Sequence, residues 1–321
     1  MIFFKKTFKL LKHFIKYIKL FIIYFPFLNF IKTKQKEIII VFDGNFGHGG
    51  LVDRLKGIVS FYAISKEINA DFKIYFKHPF QLDTFLEPNQ YNWLATDSDL
   101  NWNPFQTKFL FLMDNFSFNW KKTIQKSNKQ KFIVYANIDY LNTIYTDLDS
   151  ETLKTKWSAL FQELFKKTIL LQNAMNNLNL PSEYLAIHTR FTSLLGDFQD
   201  TTIRSISEER KKEILYLLKA EIEQIETDLS KIVFSDSIIF LNYIKENLDV
   251  MVLEGNPSHI DVKNSGIADD NLKTFVDFFV ISNAKRIYLL RTKEMYNSAF
   301  SKYASFISNR EFYNFLLHEN K

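Results

Sequence analysis

The sequence has 321 residues, of which 46% are hydrophobic, so it is long enough for two domains of ordinary size with buried cores. It contains no cysteine, which excludes disulfide bonds and thiolate-bound zinc. Nine of its 41 basic residues are lysines within residues 1–36, a stretch without acidic residues, which leaves 32 basic and 36 acidic residues elsewhere. The mildly acidic remainder disfavours nucleic acid as a partner.

Residues 3–31 combine bulky apolar side chains with lysines in steps of four and three, which places the lysines on one stripe of a helix. The longest uncharged stretch, Leu20–Ile31, has twelve residues and contains Pro26, whereas a spanning helix needs about 20 apolar residues. We therefore expect residues 1–36 to form a basic amphipathic helix, peripherally bound at the cytoplasmic face of an anionic membrane. A signal anchor and a helix that binds a partner protein remain alternatives.

A glycine-rich loop follows the first predicted strand. Four of the eight glycines lie within seven residues: Gly44, Gly47, Gly49 and Gly50. The apolar run before them predicts a buried strand, and the helical spacing of apolar residues after them predicts a helix. Glycines allow close backbone approach, and amides at a helix start attract anions such as phosphate. The spacing matches neither the dinucleotide fingerprint nor the P-loop, so a plain turn remains an alternative. Arg54, one turn into the helix, favours anion binding.

The chain up to about Leu180 alternates short apolar runs with helical patterns. The predicted strands are Ile38–Phe42, Phe72–Phe76, Phe109–Met113 and Phe132–Tyr135, and the predicted helices are Leu51–Ile68 and Glu151–Leu178. The alternation restarts near Pro181. Its strands are Tyr184–His188, Ile232–Phe234, Val250–Leu253 and Arg286–Leu290, and its helices are Ser207–Thr227, Ile238–Glu246, Asn271–Ser282 and Glu294–Tyr303.

Repeated strand–helix alternation predicts an α/β fold with parallel sheets that carry helices on both faces. Two such blocks predict two doubly wound, Rossmann-like domains that face a cleft. We place their boundaries at residues 37–180 and 181–321, after the N-terminal helix of residues 1–36.

A second group of polar residues follows predicted strands of the second block. His188 and Arg190 are two residues apart, so they share one face at the carboxyl end of a strand, where open α/β sheets bind ligands. Asp197 follows in the next loop, and Asp236 ends the next strand. Asp277 lies among phenylalanines in a predicted helix and needs a partner if it is buried. A semi-buried structural histidine and a local salt bridge are the plainer interpretations of His188 and Asp277.

These motifs together resemble the fucosyltransferase superfamily. The resemblance lies in Gly-Gly-Leu-Val-Asp-Arg-Leu-Lys-Gly at residues 49–57, His188-Thr-Arg190, Phe234-Ser-Asp236-Ser and the helix Leu272–Ala284. It implies a two-domain GT-B fold, GDP-fucose as donor, inversion at the anomeric carbon and no metal or other cofactor. Two motifs depart from the family: His-x-Arg is followed by Phe191-Thr-Ser rather than Arg-Gly-Asp, and Leu290-Arg291-Thr-Lys293 replaces Ser-x-Phe-Ser.

The resemblance also implies roles for single residues. Arg190 would hold the β-phosphate of the donor and stabilise the leaving diphosphate, and His188 and Asp277 would recognise guanine and ribose, with Asp236 close by. From the first domain, Gly49, Gly50 and Arg54 would line the cleft against the sugar and the acceptor. The family pattern does not identify the general base, for which Asp197 and His48 are the two candidates.

The sequence therefore predicts an inverting, metal-independent fucosyltransferase that acts on a cell-surface polysaccharide or lipopolysaccharide. Its partners would be a nucleotide-sugar donor, a glycan acceptor and the membrane surface. In one version of the hypothesis, the glycan acceptor is linked to a lipid. An enzyme that uses another nucleotide sugar, and a non-catalytic membrane-associated protein that binds a glycan or nucleotide, remain alternatives.

Overall fold

A computed structural model describes residues 14–29, 35–198, 205–255 and 268–318. Its strands are β1 (Glu37–Phe42), β2 (Asp71–Phe76), β3 (Leu86–Pro88), β4 (Thr107–Leu112), β5 (Lys131–Ala136), β6 (Phe165–Lys167), β7 (Tyr184–Thr189), β8 (Ser230–Ser235), β9 (Met251–Val252), β10 (Arg286–Arg291) and β11 (Glu311–Leu316). Its helices are α1 (14–24), α2 (Leu51–Glu67), α3 (Leu141–Ile144), α4 (Ser150–Leu164), α5 (Ile169–Asn176), α6 (Glu208–Gln224), α7 (Ile238–Asn247), α8 (Ala268–Asn283) and α9 (Phe300–Ile307).

The first sheet is parallel and has the strand order β2-β1-β5-β4. Side chains of β1 alternate between two cores. Ile38 and Ile40 pack in the cluster that contains α2, whereas Ile39 and Val41 pack in the cluster that contains Leu20 of α1. The sheet is therefore covered on both faces, as a near-continuous apolar strand requires.

The helix α2 lies close against the sheet at Gly57. A Cβ atom at this position would overlap the carbonyl oxygen of Ala136 at the end of β5. The absent side chain thus sets the distance between α2 and the sheet, and with it the position of the glycine loop that precedes α2.

The second sheet is also parallel and has the order β11-β10-β7-β8-β9. One face packs on α8 and α9 through Ala186, Ile232 and Ile287, and the other on α6 and α7 through Leu185 and Val233. The α/β class with parallel sheets, predicted from the alternating pattern, is confirmed.

The prediction of one long helix over Glu151–Leu178 is wrong, because these residues form α4, β6 and α5. Residues 165–167 pair antiparallel with β3, and the hydroxyl of Thr168 caps α5 by accepting a hydrogen bond from the Leu171 amide at 3.4 Å. The last predicted helix also starts late, at Phe300 rather than Glu294, because residues 292–296 form a loop held by side-chain hydrogen bonds. The edge strand β11 was not predicted.

One hydrophobic cluster is continuous between the two sheets and runs through α2, α4, α8 and α9. Polar contacts follow the same path: Lys154 Nζ donates to the carbonyl of Arg310 at 2.6 Å, and Ser158 Oγ donates to that of Ile307 at 2.9 Å. The α4 helix, placed in the first domain by the sequence pattern, is thus fastened to the end of the second. The boundary near residue 180 stays a prediction.

Both sheets reverse their strand order beside a central strand. The chain winds from β1 to β2 on one side of the first sheet and returns to β5 on the other, and it winds from β7 to β8 and returns to β10 in the second. Loops that leave neighbouring strands in opposite directions open a crevice at the carboxyl ends, where α/β proteins bind ligands. The glycine loop follows β1, and His188 and Arg190 lie at the end of β7.

Candidate active site

Arg190 and Asp236 form an ion pair at the carboxyl edge of the second sheet. Arg190 Nε lies 3.2 Å from Asp236 Oδ2, and the side chains are 18% and 2% exposed, respectively. Asp236 also accepts hydrogen bonds from the amides of Phe191 at 2.8 Å and Thr192 at 2.7 Å. The carboxylate therefore fixes both the guanidinium and the turn that follows β7.

The surroundings of this pair hold the arginine in one orientation. Burial raises the pKa of Asp236, whereas the charge of Arg190 and the backbone hydrogen bonds oppose that rise. The guanidinium carbon also lies 4.7 Å from the ring centre of Phe198, so one face of the group is covered by an aromatic ring. A partly exposed cation held in this way can meet an anionic ligand without first having to be ordered.

The turn after Arg190 has an unusual backbone. Thr192 has φ +57°, a left-handed conformation that is costly for a β-branched residue, and its side chain is buried. The residue occupies the place of the glycine in the His-x-Arg-Arg-Gly-Asp pattern. The hydrogen bond from its amide to Asp236 holds the turn in this conformation.

His188 is buried and neutral. Its Nδ1 lies 3.0 Å from Ser301 Oγ at the start of α9, and its ring is 5.6 Å from that of Phe300. Burial and, to a lesser extent, the charge of Arg190 lower the pKa of His188 to about 3. The imidazole at this position therefore acts as a hydrogen-bonding group rather than as a cation.

Asp277 lies on α8 and is paired with Lys273 one turn earlier. Lys273 Nζ contacts Oδ1 at 2.5 Å and Oδ2 at 2.6 Å. Burial raises the pKa of Asp277, and the lysine opposes this shift. The need for a partner that the apolar surroundings predicted is thus met within the helix, so a ribose or guanine would meet a carboxylate already engaged by an ammonium group.

The glycine loop is held from below by the side chain of Asp43. Its carboxylate accepts hydrogen bonds from the amide and side chain of Asn45 at 2.9 and 2.8 Å and from Tyr135 Oη at 2.7 Å. Gly50 is the residue before the first turn of α2, and Gly49 has φ +74°. A Cβ at Gly49 would lie 2.7 Å from Asp53 Oδ2, so only glycine suits this position.

Two predicted site residues lie beneath this loop: Arg54, predicted to line the cleft, and His48, a candidate general base. His48 is fully buried, and its Nε2 accepts a hydrogen bond from the Gly44 amide at 3.1 Å. Arg54 is fully buried too: its Nε donates to the Gly49 carbonyl at 3.0 Å and its Nη1 to the carbonyl of His78. Both side chains hold the loop from within, which the spacing of residues alone could not distinguish from a ligand contact.

Asp197 is exposed but serves α7. Its Oδ2 accepts hydrogen bonds from Ser237 Oγ and from the Ile239 amide, both at 2.8 Å. The carboxylate therefore caps the start of α7 and connects the loop after β7 to the end of β8.

The structure also identifies a brace that the sequence did not suggest. Arg210 on α6 donates to Glu294 at 3.0 and 2.8 Å, Glu294 accepts from Thr292 Oγ1 at 2.7 Å, and the Tyr296 amide donates to the carbonyl of Arg190 at 3.1 Å. The loop after β10 thus supports the backbone of Arg190. The Arg291 side chain is not part of this hydrogen-bonded group: its Nε donates to Asn314 Oδ1 at 3.1 Å.

The α9 helix brings the two sheets together at the site. Ser301 contacts His188, and two residues later Tyr303 donates a hydrogen bond to Asp139, after β5, at 2.7 Å. Lys56, in α2, lies 5.8 Å above the ring centre of Tyr303. The start of α2 and the end of β7 therefore approach the same short helix from opposite sides.

Comparisons with solved structures define the fold. NodZ α-1,6-fucosyltransferase co-crystallised with GDP superposes with a TM-score of 0.55 at 12% identity, over 85% of this chain and 92% of that one. A mutant of Arabidopsis thaliana FUT1 in complex with GDP superposes with a TM-score of 0.55 at 13% identity, over 90% of this chain and 72% of that one. NodZ soaked with GDP-fucose superposes with a TM-score of 0.52 at 12% identity, over 85% of this chain and 93% of that one.

Searches by sequence give no counterpart to these structural matches: neither the protein-family models nor the curated proteins match the chain. The chain nevertheless shares the fold of these fucosyltransferases. The resemblance predicted from the Gly-Gly-Leu and His-x-Arg motifs is confirmed at the level of the fold.

Proposed function

We propose that this chain is an inverting, metal-independent glycosyltransferase that moves fucose from GDP-fucose to a hydroxyl group of a cell-surface glycan. The observation that carries the proposal is the Arg190–Asp236 pair, which presents an ordered guanidinium at the switch point of the second sheet. The fold supports it, because solved structures with this fold were crystallised with GDP and soaked with GDP-fucose.

The proposed reaction requires negative charge to develop on the β-phosphate as GDP departs. A guanidinium that is already oriented stabilises that charge most where water is excluded, and Arg190 is only 18% exposed. Asp236 supplies the orientation, and the loop after β10 supports the backbone of Arg190. His188, as a neutral imidazole, is suited to a hydrogen bond with the nucleoside part of the donor.

The first test is transfer by the full chain with GDP-fucose, GDP-mannose and UDP-glucose as donors, with binding of each donor and of GDP measured by calorimetry. Both are repeated in the presence of a chelator. We expect binding of GDP and GDP-fucose, release of GDP only from GDP-fucose, and no loss with the chelator. Turnover of UDP-glucose alone supports the other-donor alternative. Binding without turnover, for every acceptor glycan supplied, supports the non-catalytic one.

The exposed face of α1 supports attachment of the enzyme to a membrane. Leu20 and Tyr24 are buried against the first sheet, but a second face of the helix and its end presents large apolar side chains that are 44–66% exposed: Phe14, Ile15, Ile18, Phe21, Ile22 and Phe25. The lysine-rich composition of residues 1–36 suits an anionic lipid surface. Residues 1–13 and 30–34 lie outside the described part of the chain, and no described helix is long and apolar enough to span a bilayer.

The same helix contacts the glycine loop. Lys19 Nζ donates to the carbonyl of Asn45, and Tyr24 Oη lies 3.0 Å from Tyr135 Oη, which binds Asp43. A bilayer against α1 would therefore lie near the loop that the proposal assigns to the acceptor side, which favours a lipid-linked acceptor.

Attachment to lipid is tested by sedimentation with vesicles of equal parts phosphatidylcholine and phosphatidylserine. We expect the wild type to sediment, and the triple variant Phe14→Ser, Ile18→Ser, Ile22→Ser to bind at least about tenfold more weakly, because three exposed apolar side chains are removed. Equal binding of both proteins would contradict the assignment of this face to lipid. A control with Phe105→Ser, an 83% exposed phenylalanine outside α1, should bind as the wild type does.

A further inference from the structure

Asp53 lies in the first turn of α2, directly above the glycine loop. A Cβ atom added at Gly49 would lie 2.7 Å from Asp53 Oδ2 and 2.8 Å from Asp53 Cβ, so the Asp53 side chain rests against the loop backbone. Lys56 Nζ is 2.6 Å from Oδ1, and the Asp53 side chain is 39% exposed. The carboxylate is thus oriented by a neighbouring cation while part of it stays open to solvent.

The Asp53–Lys56 ion pair also lies near the other half of the site. Lys56, its ion-pair partner, lies over the ring of Tyr303 on α9, and the charge of Asp53 is one of the influences, after burial and Asp139, that raise the pKa of Tyr303. Ser301, two residues before Tyr303, contacts His188. Asp53 therefore approaches, from the first sheet, the short helix that contacts His188 from the second.

Five other acidic side chains near this edge form hydrogen bonds or ion pairs within the protein. Asp139 accepts hydrogen bonds from Tyr303 Oη at 2.7 Å and the Leu141 amide at 2.9 Å, and Asp43, Asp197, Asp236 and Asp277 have the partners described above. Within the described residues, the one ion-pair partner of Asp53 is Lys56. A base must reach a substrate hydroxyl. Among the described acids of this group, Asp53 is the one that is 39% exposed and held by a side chain alone, whereas the exposed Asp197 also accepts a backbone hydrogen bond.

We propose that Asp53 is the catalytic base that accepts the proton of the acceptor hydroxyl, an inference that rests on the proposed fucosyl transfer. In the step, the acceptor oxygen bonds to C1 of fucose while its proton moves to the Asp53 carboxylate. The bond between C1 and the β-phosphate oxygen breaks, and its electron pair leaves with GDP towards Arg190. Lys56 keeps the carboxylate oriented before the step.

The experiment compares Asp53→Asn and Asp53→Glu with the wild type, and with Asp83→Asn, which removes an exposed carboxylate of the short helix Leu82–Thr84. We expect Asp53→Asn to lower kcat about 10²- to 10⁴-fold with the Kd for GDP and the melting temperature unchanged. Asp53→Glu should recover part of that loss, and Asp83→Asn should match the wild type.

A kcat for Asp53→Asn within threefold of the wild type overturns the proposal. A loss of kcat that is accompanied by an equal loss of GDP affinity, or by a lower melting temperature, also overturns it. In that case Asp53→Glu shows whether the position matters only for packing. Failure of the proposed function is a separate result: the wild type itself would then release no GDP from GDP-fucose.

Discussion

Arg190→Ala is expected to lower kcat for transfer from GDP-fucose by about 10²- to 10³-fold, the usual loss when one preorganised donor to a developing anion is removed. The guanidinium is held by Asp236 and by the ring of Phe198, so it is oriented before a diphosphate binds. The affinity for GDP should fall as well, because the diphosphate carries its charge in the ground state too. Kinetics and calorimetry with the full chain measure both.

The same substitution leaves Asp236 buried without its cation, which by itself is destabilising. The control is therefore the double variant Arg190→Ala, Asp236→Asn, which removes both charges and keeps an oxygen for one of the two amides, those of Phe191 and Thr192, that bind the two carboxylate oxygens. We expect it to regain part of the melting temperature that Arg190→Ala loses, but not the activity. If the double variant recovered transfer, Arg190 would act only by neutralising Asp236.

Arg190→Lys separates charge from geometry. A lysine retains the positive charge but cannot reproduce the planar fork of the guanidinium, and it cannot pair with Asp236 through an Nε group while directing other N–H groups to a diphosphate. We expect activity well below the wild type and above that of Arg190→Ala.

Local patterns predicted most of the fold, because each βα unit carries its own periodicity. The runs around Ile40, Ile187 and Leu289 are buried on both faces, and they contain enough consecutive apolar residues to be recognised without knowledge of their neighbours. The break at residues 165–167 was missed because Phe165 fits a helical apolar stripe equally well. Its strand forms only through pairing with β3, which lies about eighty residues earlier in the chain.

The candidate site was predicted less completely, because residue type does not reveal which way a side chain points. His188, Arg190 and Asp236 end neighbouring parallel strands, so topology alone brings them together. Arg54 and His48 have the chemistry of ligand contacts, but helix and turn geometry directs them under the loop. Asp197 was predicted as a candidate base, and residue type did not reveal that its carboxylate caps α7. Asp53 was not predicted as a site residue, although it lies within the Gly-Gly-Leu motif of residues 49–57.

The second large expected effect is a loss of stability on truncation of a buried side chain in α1, which lies within the predicted amphipathic helix of residues 1–36. Tyr24→Ala is expected to lower the free energy of unfolding by about 3–5 kcal/mol, as is typical when a large buried aromatic side chain is truncated. Tyr24 is 1% exposed, its ring lies 4.9 Å from that of Phe109, its carbonyl accepts a hydrogen bond from Trp102 Nε1 at 2.5 Å, and its hydroxyl contacts Tyr135. Urea denaturation followed by tryptophan fluorescence measures the loss.

The matched control is Ile22→Ala, two residues away on the exposed face of the same helix. Ile22 is 66% exposed, so its truncation should change the free energy of unfolding by about 0.5 kcal/mol or less. If Tyr24→Ala proved equally harmless, α1 would be a detachable anchor. The expected contrast would instead make α1 an integral layer packed on the first sheet, with its other face exposed. Because Tyr135 joins Tyr24 to Asp43, Tyr24→Ala should also loosen the glycine loop and raise the KM for the acceptor more than that for GDP-fucose.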